Sequence, residues 1–171
     1  MDSILVVFYS NTGNSRRLAQ LLSTQKGWPT GEVVEQHPRS SMLRSVLDSL
    51  LRRRPAVQYK GPDPTGFRTV VLVAPIWMYR LASPMRTFVH DWRKQLDRVA
   101  VLVTMGRRGG SNAAAEIGNI LGHDPVLSEV VTARAIEDGS CAEAVNAFGD
   151  ALVPPAGVPP VRPAVLSPEA G

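Results

Sequence analysis

The sequence predicts a doubly wound α/β protein, with five parallel strands and helices on both faces of the sheet. Three observations carry this. The runs "ILVVFY" at 4–9, "TVVLVAP" at 69–75 and "VAVLVT" at 99–104 are apolar throughout rather than alternating, the pattern of strands covered on both faces. Each is followed by a loop and then by apolar residues at helical spacing, the βα unit of a parallel sheet. The spacing of five strands and their helices along the 171 residues leaves no room for a second domain.

The elements follow in order. After the first strand, Leu18, Ala19, Leu21 and Leu22 mark a helix that Gly27, Trp28 and Pro29 end. "GEVVEQ" at 31–36 is a short second strand. Met42, Leu43, Val46, Leu47, Leu50 and Leu51 form an amphipathic helix whose last turn, Arg52 to Arg54 before Pro55, suits the negative end of the helix dipole. Behind the third strand, Ser83 and Pro84 are the expected N-cap and first residue of a helix carrying Met85, Phe88, Val89, Trp92 and Leu96. An alanine-rich helix at 112–121, closed by Gly122, follows the fourth strand. The fifth strand falls at 126–132. A capping box, Ser140 to Glu143, is expected to open the last helix through Val145, Phe148 and Leu152. The chain then divides into a folded domain, 1–153, and a proline-rich tail, 154–171, without periodicity.

Composition excludes several classes. The single cysteine, Cys141, has no partner for a disulfide and no neighbours at metal-ligand spacing, so it is read as packing, and no metal site is expected. There is no apolar run long enough to span a bilayer and no secretory leader pattern, so the expectation is a soluble, cytoplasmic protein without a membrane partner. A net charge of +4 is too small to call for nucleic acid and points only to an anionic ligand or partner. His37, His90 and His123 are scattered, His90 on the polar side of its helix.

Chemistry concentrates in the loops beyond strands one, three and four, where doubly wound sheets bind ligands. In the first, "SNTGNS", the hydroxyls and amides of Ser10, Asn11, Thr12, Asn14 and Ser15 sit where a helix begins, and Gly13 lets backbone approach a ligand. Free N–H groups and the positive dipole end make this an anion site. It is neither G-x-x-x-x-G-K-[ST] nor G-x-G-x-x-G, and it has no lysine for a triphosphate, so a monophosphate fits best. The plainer alternative is that the cluster only caps the helix.

The stretch "VVFYSNTGNSRRLAQLL" resembles the flavodoxin family, whose first loop runs [ST]-x-T-G-x-T after an apolar strand; Ser15 stands here where threonine is usual. The resemblance implies a flavodoxin-like fold, three layers α/β/α with strand order 2-1-3-4-5, and non-covalent FMN with its phosphate on residues 10–15. It also implies that the loop after strand three packs on the flavin ring, through Pro75, Ile76, Trp77, Met78 and Tyr79, with Trp77 as the stacking residue. The alternative is that Trp77 and Tyr79 merely cover the sheet end.

The third loop, "TMGRRGGSN" at 104–112, with Met105, Gly106, Arg107, Arg108, Gly109 and Gly110 as its candidate ring contacts, departs from electron-carrying flavodoxins, which usually place a tyrosine there among acids. Glycines in its place would leave one face of the ring open to a small acceptor. The arginines would favour the reduced, anionic flavin or hold a pyridine nucleotide. Three functions therefore stay open. One is an electron-transfer flavoprotein serving a redox partner protein. Another is an FMN-dependent oxidoreductase that uses NAD(P)H to reduce a quinone or other small molecule. The third is a flavin-free interaction module.

Overall fold

The structure, a computed structural model, describes residues 3–36, 55–77, 79–105 and 110–153. The expected helix at 42–51 with its arginine end, His37, Met78, the segment from Gly106 through Arg107 and Arg108 to Gly109, and the tail 154–171 lie outside the described residues.

The strands are β1 (Ile4–Phe8), β2 (Thr30–Glu35), β3 (Val57–Lys60), β4 (Thr69–Trp77), β5 (Arg80–Leu81), β6 (Val99–Met105) and β7 (Leu127–Thr132). The helices are α1 (Asn14–Lys26), α2 (Ser83–Trp92), α3 (Gly110–Leu121), α4 (Ala133–Glu137) and α5 (Ala142–Leu152). The sheet runs β3-β2-β1-β4-β6-β7. All neighbours from β2 to β7 are parallel, which reproduces the expected order of five strands.

Alternation within the apolar runs explains why they are unbroken. Leu5, Val7, Val70, Leu72, Val101 and Val103 face a core shared with Met85, Phe88, Val89, Ala113 and Ile117 of α2 and α3. Ile4, Val6, Phe8, Val71, Val73, Ala100 and Leu102 face a second core with Leu18, Ala19 and Leu22 of α1 and Val145, Phe148 and Leu152 of α5. Successive side chains point to opposite faces, and both faces are dry.

Two strands go beyond the expected five. β3 adds an antiparallel edge to β2, pairing Val33 with Tyr59. Tyr59 turns inward against Phe88 and Trp92, with ring centroids at 5.2 and 6.2 Å. Its hydroxyl donates to the Pro62 carbonyl at 2.8 Å and lies where a side chain on Gly31 would be, 2.1 Å from a Cβ built there. β5 is a two-residue return strand that pairs antiparallel with the end of β4, Ile76 to Leu81 and Trp77 to Arg80.

Helix starts differ from expectation at three places. α3 begins at Gly110, two residues before the expected 112. Ala82, not Ser83, occupies the cap of α2, and Ser83 is its first residue. The capping box does not form: Cys141 is the N-cap of α5, without a side-chain bond. The Asp138 carboxylate accepts from the Ser140 N–H at 3.0 Å and Gly139 has φ 77°, so a local Asp-led turn replaces the serine cap. No described helix is long and apolar enough to cross a membrane.

Candidate functional site

Because β1, β4 and β6 are parallel neighbours, with Phe8 beside Val73 and Pro75 beside Thr104, the segments that follow them emerge at one end of the sheet. The structure thus brings the first loop, the strand-four hairpin and Met105 together.

In the first loop the chain turns through Gly13, whose φ of 97° is open to glycine at little cost. Gly13 is the N-cap of α1, so the position where a serine or aspartate would cap carries no side chain at all. The Ser10 hydroxyl instead accepts from the Gly13 N–H at 3.1 Å and shapes the loop. Asn11 and Thr12 are exposed. Ser15 is buried, its hydroxyl 3.1 Å from that of Thr104 at the end of β6. The loop's polar side chains are therefore not spent on capping, and the N–H groups of the first helical turn, which have no acceptor within a helix, face the same end of the sheet.

No carboxylate belongs to this loop. Two carboxylates of the neighbouring strand β2 have partners of their own. Glu32 pairs with Arg16, which also lies over the Phe8 ring. Glu35 accepts from the Tyr9 hydroxyl at 2.8 Å. Burial first, then the bond to Glu35 and its charge, push the Tyr9 phenol far above its ordinary range, so it stays protonated.

Trp77 and Tyr79 are separated by the hairpin. Trp77 is 9% exposed and belongs to the core beneath the site, edge-on to Tyr9 at 5.9 Å. Tyr79 is 56% exposed, on the turn between β4 and β5, with φ 65°. A tyrosine in left-handed backbone is strained, and the surroundings must hold it there. Three bonds do so. The Ala82 N–H donates to the Pro75 carbonyl at 3.1 Å. The Leu81 N–H donates to one carboxylate oxygen of Glu116 at 3.0 Å, and the other oxygen receives Arg86 at 3.2 Å. Pro75 and Ile76 are half-buried at the hairpin base. Gly110 is the first residue of α3, the helix that carries Glu116.

Glu116, Thr104 and Glu35 were not among the expected site residues. Thr104 had a signal, as a hydroxyl closing the apolar strand "VAVLVT". Glu116 acts on partners 30 and 35 residues away, which no local pattern discloses. Among the described residues no group of three or more His, Cys, Asp or Glu could hold a metal. Cys141 is buried, and burial pushes its thiol up.

No protein-family model and no curated protein matches the chain by sequence. Solved structures do match by shape. A flavoprotein from Lactobacillus acidophilus in complex with FMN superposes with a TM-score of 0.67 at 16% identity, over 81% of this chain and 98% of its own. A Bacteroides eggerthii protein described as a flavoprotein gives 0.62 at 22%, over 83% and 98%. A Fusobacterium nucleatum flavodoxin bound to flavin mononucleotide gives 0.54 at 8%, over 89% and 97%. The fold is flavodoxin-like. In this flavodoxin-like chain the loop that follows β1 starts helix α1 at Gly13, and the outward-facing aromatic of the β4–β5 hairpin is Tyr79.

Proposed function

We propose that the chain is an FMN-binding redox protein of the cytoplasm, with residues 1–153 as the flavin-binding domain. The observation that carries this is the first loop: a glycine-capped helix start whose hydroxyls and amides are free of capping duty, with no carboxylate among them. An acceptor-only phosphate matches such a donor set. Ser10, Asn11, Thr12, Gly13, Asn14 and Ser15 would hold the phosphate. The hairpin of Pro75, Ile76 and Tyr79 and the segment from Met105 to Gly110 would border the ring, with Tyr79 rather than the buried Trp77 as its aromatic neighbour. FMN supplies the electron chemistry when bound. The chain's part is to bind it, orient it and leave one side accessible. The likeness in fold to structures that hold FMN supports the reading.

Adding FMN to the purified chain should shift and resolve the flavin absorption bands. Thr12→Val, which removes an exposed donor without changing shape, should weaken binding about tenfold, the worth of one hydrogen bond to a charged group. An unaltered chain that leaves the FMN spectrum unchanged would sink the proposal and leave a flavin-free interaction module.

Within this reading, electron transfer with a partner protein is the primary activity. The sequence from Gly106 to Gly110, which has no aromatic, favours a second one: reduction of a quinone or similar acceptor by NAD(P)H on the uncovered side. Steady-state NAD(P)H oxidation with and without a quinone separates the two.

A further inference from the structure

We propose that Thr104 is a positioning residue for the anion: its hydroxyl donates a hydrogen bond to the Ser15 oxygen, so that the Ser15 hydroxyl is left to donate to the phosphate. This rests on the FMN reading above.

Ser15 and Thr104 are 1% and 4% exposed, and their oxygens are 3.1 Å apart across 89 residues of sequence. A buried hydroxyl without a partner is costly, so the pair must bond. Each hydroxyl has one proton to give and can accept. Either may donate in the isolated pair, but a phosphate only accepts. If Ser15 donates to Thr104, it has no proton for the ligand; if Thr104 donates to Ser15, the Ser15 proton is free for another acceptor. A bound anion selects the second direction.

Two further features fit. Ser15 is the second residue of α1, within the first turn, where the dipole favours negative charge. Serine also lacks the β-methyl that stiffens threonine at χ1, so an outside bond is needed to hold its rotamer. Thr104 supplies it from the sheet: it lies in β6 on the same face as Ala100 and Leu102, the face that packs against α1.

The test compares FMN with riboflavin, which has the same ring and no phosphate. Both are titrated by flavin fluorescence into the full chain and its T104V, T104S, S15A and S15A/T104V variants, each first melted by circular dichroism to establish that it folds. The expected result is that T104V binds FMN roughly tenfold more weakly and riboflavin unchanged. T104S should recover FMN affinity, and the double variant should bind no worse than S15A. Equal weakening of FMN and riboflavin by T104V would make Thr104 a packing residue and overturn the role. So would T104V binding FMN as the unaltered chain does. Failure of the unaltered chain to take FMN removes the function itself, a result distinct from both.

Discussion

Tyr79 carries the clearest conflict between local preference and structure. A non-glycine residue at φ 65° costs about 1 to 2 kcal/mol, and over half of this side chain is exposed, so burial does not offset the cost. Tyr79→Gly should therefore raise the stability of the flavin-free protein by about 1 kcal/mol in chemical denaturation, while FMN titration shows weaker binding. Gains in both would mean that the ring does nothing for the ligand. The sequence disclosed Tyr79 as an aromatic at the right end of the sheet, but the resemblance pointed to Trp77 as the stacking residue. Only the two-residue hairpin decides which ring turns inward, and the pairing of Trp77 with Arg80 is not visible in composition. Gly13 and Thr12, by contrast, were legible because a helix start is a local event.

At the scale of elements, the hairpin of β4 and β5 depends on Glu116. Glu116→Ala leaves the 5% exposed Arg86 and the Leu81 N–H without this carboxylate, and should cost about 2 to 3 kcal/mol of stability. Glu116→Gln, which still accepts from Leu81, should cost less; urea denaturation of the two variants checks the order. The β3 edge yields a pH prediction. Burial, and then the Asp63 charge, push the Tyr59 phenol up to about 12 from 10.0. The folded state therefore holds its proton more tightly, and this contribution is complete below pH 10 and is lost as pH rises through about 12. Thermal melts between those values should fall less steeply for Tyr59→Phe. The elements the sequence missed share a cause. β3 and β5 are short strands that exist through their partners, and the serine cap at Ser140 was outcompeted by the turn that Asp138 and Gly139 make.

For the whole molecule, the winding was legible because the signal is redundant: three unbroken apolar runs allow little but a parallel sheet with two coats. Strand order and the end of the sheet that binds follow from that topology. What joins the loops across that end, Ser15 to Thr104 and Glu116 to Leu81, is non-local and had to come from the structure. Hydrogen exchange should find its slowest amides in β1, β4 and β6, whose strands are bonded on both sides, and faster ones in the edges β3 and β7. Uniform exchange across the sheet would contradict the two-sided core.

The division of the interior into two separate hydrophobic bodies has a consequence for change over time. The first loop opens α1, which is anchored in one of them, whereas Trp77, Leu81 and Ala82 of the hairpin are anchored in the other. Substitutions beneath α1 and α5 can drift without retuning the hairpin, and those beneath α2 and α3 without retuning the loop. On the proposed function, grip on the anion and choice of reaction partner thus become separately heritable traits, joined across the sheet by few bonds. A lineage could exchange one acceptor for another while its hold on the cofactor stays the same.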